Sequence, residues 1–503
     1  MLHIPKRTVA DTRSFPVDPD GVAEWLEALD PLERSADAHE VHRGLKHSNR
    51  LHNDVERRRK VISCFIPTLR ALQRHLSEPS RTQPLPLNRD AARQSELAEA
   101  LLREEAFAFS LLLSDSKAPV SDDARRAMQA LARQTECILQ CHRRLPGDVL
   151  TDAHALYLYA EDNDLLDTHE DPLQLSLKAH YQFILLAAIS DTRQQRVHQL
   201  PALFELLRNA AARDIGLGTT PPPLPGPLDF AIDLGHVGRP IRARWFQQRD
   251  NTEHLRYFSI EKPLAYIERQ AAALREHRAD LLAPGRLERT TLKRLQQSLM
   301  PTRTRRSARR ISRAQRLITF GLSEIGAEVS NGSQTALAGV VPGEGVEEHR
   351  IWREVNVGEH GLCLENLHAL PASVQVGELV SINPATADGT AAAAPDGIPR
   401  RQALGTVRWI DIDGEAVRIG IELLARSVLP VTINRSDDRK SHGTRALVLA
   451  CKVRNEVLQT ILLPPYQFQM GDRLVASQGP RFREVSLQRP LQSTSQFSHF
   501  ALG

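Results

Sequence analysis

The chain has 503 residues, 41% hydrophobic and 25% charged, with 65 basic side chains against 61 acidic ones. That length predicts two to four domains with enough apolar residues for real cores. A formal charge of only +4 excludes a polycation, so any affinity for anions has to be local.

Five scattered cysteines make no disulfide framework and fit reduced thiols in a cytoplasm. The opening stretch "MLHIPKRTVADTRSFP" lacks the apolar segment of a secretory signal. The longest apolar run, 183–189, is far short of the ~20 residues a membrane helix needs. A soluble cytoplasmic protein without a membrane span is expected.

Residues 1–295 read as a helical domain. Val22, Trp25, Leu26 and Leu29 share one helical face, as do Val61, Ile62, Phe65, Ile66, Leu69, Leu72 and Leu76. Pro67 inside the second stripe predicts a kink or a helix restart. Further helical stretches follow between 96 and 215. Ile267, Leu274 and Leu281 repeat at heptad spacing near the end of this region. Serial helical hairpins are the expected layout. Residues 219–255 form a loop-rich insertion, because "TTPPPLPGP" cannot be helix and the alternating stretch after it reads as a short hairpin.

Residues 296–316 read as a basic linker containing "TRTRRSARRISRAQR". Beyond it the helical stripes vanish. From 317 to 428 six short β-prone runs, "RLITFGLSEIGAEV" to "VRIGIELLA", predict a small antiparallel barrel. The low-complexity stretch 385–399 reads as a flexible insertion between strands. More strand-like runs over 429–503 predict a second, smaller β unit packed on the first. The fold class expected is therefore α+β multidomain: an all-α region, then a six-stranded barrel, then a further β unit.

No Walker-type loop, H-E-x-x-H or G-x-S-x-G is present, and an enzyme is not expected. Cys137, Cys141 and His142 form C-x-x-x-C-H, and two thiols four apart on a helix share a face. No second ligand pair follows, so packing cysteines are expected and no metal. The acidic run 161–171 lacks the glycine of a calcium loop and reads as a solvated loop or cap.

The arginine run has three readings: a solvated linker, a nucleic-acid grip, or half of a site for a small anion. Guanidinium groups bind phosphate through paired hydrogen bonds and stack on flat rings. The run has no aromatic residue of the kind that stacks on single-stranded bases, so nucleic acid ranks last. Downstream, "WREVNVGEHGLCLE" reads as a strand, a turn from Asn356 through Gly358 to Gly361, and a second strand. Asparagine offers both a donor and an acceptor, and glycine allows close backbone approach. "LGTVRWIDIDGEAVRIGIELL" follows as a strand pair.

Taken in this order, the three elements resemble the PilZ domain, a bacterial six-stranded barrel that binds cyclic di-GMP. The family signature is R-x-x-x-R ahead of the barrel and [DN]-x-S-x-x-G on its strands. Arg309 to Arg313 supplies the first part, although Arg305 with Arg309 and Arg306 with Arg310 are overlapping registers. N-V-G-E-H-G, Asn356 to Gly361, supplies the second, with Gly358 where the family has serine. One neutral hydrogen bond lost costs about 0.5–1.5 kcal/mol, roughly three- to tenfold in affinity. The resemblance spans 305–428. It implies a cyclic di-GMP receptor in which Arg309 and Arg313 clamp phosphates or stack on guanine, with Arg310 assisting. Asn356 would read a guanine edge while Gly358 and Gly361 shape the turn. No cofactor beyond this ligand is implied. Ligand capture would order the linker and re-orient the helical region toward a protein partner that the sequence does not name. The alternative is a degenerate, non-binding barrel serving as a protein–protein adaptor.

Overall fold

A computed structural model describes residues 2–8, 14–29, 34–118, 120–167, 174–246, 252–276, 287–300, 308–328, 350–367, 374–385, 403–426, 428–436, 443–453, 456–494 and 496–503. The chain divides into two compact units, Met1–Arg303 and Thr304–Gly503.

The first unit is built from α1 (Pro19–Glu27), α2 (Arg34–Arg50), α3 (Val55–Thr82), α4 (Arg89–Asp115), α5 (Ser121–Gln140), α6 (Gly147–Asp162), α7 (Leu177–Ile189) and α8 (Leu200–Ala211), with α9 (Glu261–Glu276) and α10 (Arg289–Leu299) after an insertion. Short polar side chains start several of these helices by accepting orphan backbone N–H groups. Asp18 accepts from Gly21, Asp54 from Arg57 and Asn88 from Ala91, at 2.8–2.9 Å. Helices adjacent in sequence pack on each other through α3, α4 and α5, and α5 also meets α7. Val61, Phe65, Leu69, Leu101, Leu112, Met128 and Phe183 share one leucine-rich core.

Pro67 does not restart the helix: α3 runs unbroken through it. Pro67 and Ser63 are both exposed, so the carbonyl that loses its helical donor faces water. The insertion holds more than a hairpin. Strands β1 (Asp229–Asp233), β2 (Ile241–Arg242) and β3 (Leu255–Ser259) form a sheet in the order β2-β1-β3. Phe230 and Phe258 on one of its faces stack at 5.4 Å and join the helical core. Leu281, the last residue of the expected heptad row, lies outside the described residues, as do residues 168–171 of the acidic run.

The second unit holds two six-stranded antiparallel barrels. The first uses β5 (Gln315–Phe320), β6 (Ile351–Gly358), β7 (Gly361–Asn366), β8 (Leu379–Pro384), β9 (Ala403–Asp413) and β10 (Ala416–Ala425). They pair in the order β5-β8-β9-β10-β7-β6, and β6 closes the ring on β5. A further short strand, β4 (Arg309–Ile311), adds to the free side of β6. This segment was expected as linker. It carries no apolar alternation and is a strand because β6 offers it an edge. Ile318, Trp352, Leu364, Ile382, Ile410 and Ile419 fill the interior.

The expected first strand run is only half strand. Gly321, at φ +84°, turns the chain out of β5, and 322–328 is helical. Of the expected inter-strand insertion 385–399, residues 386–399 lie outside the described residues.

The second barrel comprises β11 (Val428–Arg435), β12 (Thr444–Val453), β13 (Glu456–Leu463), β14 (Arg473–Gln478), β15 (Arg481–Ser493) and β16 (Ser498–Leu502), closed in the order β11-β12-β13-β16-β15-β14. The two barrels share a buried cluster. Ile325, Leu379, Leu404 and Ala425 of the first meet Leu447, Leu449, Leu462 and Phe497 of the second.

Candidate functional site

β6 and β7 form a hairpin whose two-residue turn is Glu359–His360. Asn356 lies opposite Cys363 and Val357 opposite Leu362. On the other side of β6, Arg309 pairs with Gly358, Arg310 with Val357 and Ile311 with Asn356. Side chains on a strand alternate between faces. Arg309 therefore shares a face with Asn356, while Arg310 shares one with Val357, which packs on the barrel core. Arg309 Nη1 donates to Asn356 Oδ1 at 3.2 Å. The arginine segment and the N-V-G-E-H-G hairpin, 47 residues apart, thus meet directly.

One mouth of the barrel opens into a cleft of about 680 Å³. Four arginines line it, Arg309, Arg310, Arg316 and Arg426, against two glutamates, Glu354 and Glu359. Val357, Leu362, Ile382 and Leu423 supply apolar wall. Ligand sites commonly run to roughly 300–1,000 Å³ with an apolar lining and a few convergent polar groups. Glu354 is 3% exposed, and its carboxylate accepts from Arg316 Nε at 2.6 Å and from the Ser312 hydroxyl. Two backbone bonds, Glu354 N to Ala314 O (2.9 Å) and Ser312 N to Val355 O (3.3 Å), dock the same segment along β6. Among the described residues, Arg310 and Arg426 have no ion pair.

The expected residues separate into groups. Arg309, Arg310 and Gly358 line the cleft, and Asn356 is tied to it through Arg309. Arg313 is exposed and is not among the lining residues. Gly361 serves the barrel: a Cβ there would collide with the carbonyl oxygen of Ile421 on β10. Arg305 and Arg306, the first members of the alternative registers, lie outside the described residues. Sequence reasoning missed Arg316 and Arg426 as lining groups. Arg316 was legible in principle, because it stands two residues before the core residue Ile318 and so on the same face of β5. Arg426 just follows β10, and only the closed ring brings it to the cleft.

Beside the hairpin, Glu365 is 3% exposed and accepts from Arg353 and from Arg418 Nε, the latter at 2.6 Å. Burial pushes its carboxyl up, but the two arginine donors outweigh that and hold it below the usual range. Burial pushes the Cys363 thiol up to about 11, so it is protonated at neutral pH.

Cys137 and Cys141 are packing residues. Both are buried, with the Ser95 hydroxyl 3.1 Å from Cys141 Sγ, and burial pushes the Cys141 thiol up to about 11. Among the described residues no cluster of histidine, cysteine and carboxylate side chains is arranged to hold a metal. No described helix is long and apolar enough to cross a membrane.

Residues 20–214 match the family described as "Cyclic-di-GMP receptor FimW, N-terminal domain". Over 99% of its length the chain is 23% identical to a protein of Pseudomonas aeruginosa named "Cyclic-di-GMP receptor FimW", of which it covers 92%. No solved structure matches the chain. The similarity therefore runs through both units, and its family match falls in the helical one.

Proposed function

We propose that this chain is a non-enzymatic receptor for cyclic di-GMP whose first barrel is of the PilZ type. The observation that carries the reading is the meeting of Arg309 with Asn356 beside a basic cleft. The end-to-end similarity to a protein named as a cyclic di-GMP receptor supports it independently. Arg309 and Arg310 take the phosphates, Asn356 reads a guanine edge, and Arg313 closes from the exposed connection between β4 and β5. Arg316 and Arg426 add positive charge deeper in the cleft. Arginine suits this work because its fork matches phosphate oxygens and its plane stacks on guanine. Capture of the ligand fixes the path of the arginine segment, and the helical unit passes that change to a protein partner in the cytoplasm.

The test is calorimetric titration of the full chain with cyclic di-GMP. Saturable heat with micromolar or tighter affinity is expected. A folded chain that takes up no ligand would overturn the reading. It would favour a second one, a non-binding adaptor, which is motivated by Gly358 in place of the family's serine. Partner capture indifferent to cyclic di-GMP would be its signature.

A further inference from the structure

The second barrel concentrates the positive charge of the chain. Residues 428–503 hold ten basic and five acidic side chains, an excess of five against a formal +4 for all 503 residues. Basic residues gathered in one domain are the footprint of an anionic partner. The two barrels also treat their arginines differently. In the first, Arg316 pairs with Glu354, Arg408 with Glu422, and both Arg353 and Arg418 with Glu365. In the second, Arg435 stands 3.5 Å from Asp472. Among the described residues Arg445, Arg473, Arg481, Arg483 and Arg489 have no ion pair.

Four of these arginines surround one exposed aromatic ring. The strand register sets Arg445 of β12, Thr432 of β11, Ser477 of β14 and Phe482 of β15 opposite one another in a single row. Ala446, Ile433, Leu474 and Val485 fill the interior, so alternation places that row on the outer face. Strands lie about 4.8 Å apart, and the row spans roughly 14 Å. Arg473 with Ser486 forms a second row on the same face, and Glu484 is the carboxylate between the two. Phe482 is 78% exposed. Arg481 and Arg483 flank it on the other face of the β14–β15 hairpin, where residues 478–484 are exposed throughout. Arg483 Nη1 donates to Gln459 Oε1 at 3.3 Å, a neutral partner that leaves its charge uncompensated.

We propose that this face of the second barrel binds single-stranded nucleic acid. Phe482 offers a ring on which a base stacks, and Arg445, Arg473, Arg481 and Arg483 take the phosphates on either side of it. The basic run at 302–316 lacks such a ring. A duplex keeps its bases stacked on one another and leaves Phe482 unused, and an acidic peptide uses the arginines alone. RNA and DNA strands share the chemistry that this face recognises. The surface is separate from the cleft of the first barrel, and the inference does not rest on the reading given for that cleft.

The test is fluorescence anisotropy of labelled oligo(U), oligo(dT) and a DNA duplex, each about 20 nucleotides long to exceed one barrel's site, titrated with the full chain. Micromolar or tighter binding of a single strand is expected. Four neutralised phosphates give a slope of about −3 in log affinity against log salt, or roughly a 50-fold loss between about 50 and about 200 mM. Phe482→Ala loses at least about fivefold, the effect of removing one stacked ring, with the slope unchanged, and Phe482→Tyr retains affinity. The Arg445→Ala, Arg481→Ala, Arg483→Ala variant makes the slope shallower by about 2. The Arg309→Ala, Arg310→Ala variant binds the strand as the parent does, which separates this face from the first barrel. Tighter binding of oligo(U) identifies RNA as the ligand, and tighter binding of oligo(dT) identifies DNA. No binding by folded protein, a duplex bound as tightly as the single strands, unchanged affinity in Phe482→Ala, or equal displacement by polyglutamate would overturn the proposal.

Discussion

Three residues show how closely the β-rich unit constrains its positions. Glu354 sits at the cleft mouth with donors from Arg316 and Ser312, so its charge is compensated by the same segment that carries Arg309 and Arg310. Gly361 faces the Ile421 carbonyl, a backbone atom that cannot step aside. Overpacking of this kind costs about 1–3 kcal/mol, so Gly361→Ala should lower the stability of the second unit by that amount in a urea melt. An unchanged midpoint would show that the barrel yields there. His499 is 4% exposed, with Nε2 2.8 Å from Thr460 Oγ1, and burial lowers its pKa to about 4. An unfolded imidazole takes its proton near pH 6.5, so between 6.5 and 4 the unfolded chain binds more protons than the folded one. Acid therefore removes stability across that window, by up to about 3 kcal/mol at its lower end. Relative to His499→Gln, which cannot titrate, the parent chain should lose stability as the pH falls from 6.5 to 4. A difference that stays constant over that range would mean the imidazole is not buried neutral.

At the scale of elements, the arginine segment is a pinned edge. β4 contributes three residues, all exposed, and is held by β6 and by the bonds around Glu354. Such short, solvated edges open locally at little cost. Trypsin should cut after Arg309, Arg310 or Arg313 in the free chain, more slowly with cyclic di-GMP and faster in Glu354→Gln. Cleavage rates indifferent to both changes would contradict the docking described for this segment. The same elements show where a sequence is readable. β9 and β10 alternate strongly and are found where their pattern put them, since a buried barrel face imposes its own period. β4 has no such pattern, because its partner strand supplies its structure. The unbroken α3 is the converse case: Pro67 reads as a breaker, but its solvent-facing position lets water satisfy the freed carbonyl.

For the whole molecule, the order of an α-helical region followed by two β-barrels was legible because 3.6- and 2-residue periods differ plainly over long stretches. The ring closure that makes the cleft was legible only through likeness, since pairing of β6 with both β5 and β7 is a long-range fact. Half of the candidate site could be found in the sequence for the same reason. Arg309 and Asn356 belong to contiguous motifs, whereas Arg426 reaches the cleft only after the strands close. The helical unit gave no functional signal from its own pattern. Its amphipathic stripes describe packing, and the family match to residues 20–214 is what links it to receptors.

The most direct test of the account compares cyclic di-GMP affinity, by calorimetry, in the parent chain, in Arg309→Ala, Arg310→Ala, and in Arg313→Ala. Charge-assisted hydrogen bonds contribute about 1.5–3 kcal/mol each, or roughly 10- to 150-fold. The account predicts that the double variant loses at least a hundredfold and that Arg313→Ala, exposed and outside the cleft lining, loses less than tenfold. A double variant that binds as tightly as the parent would contradict it.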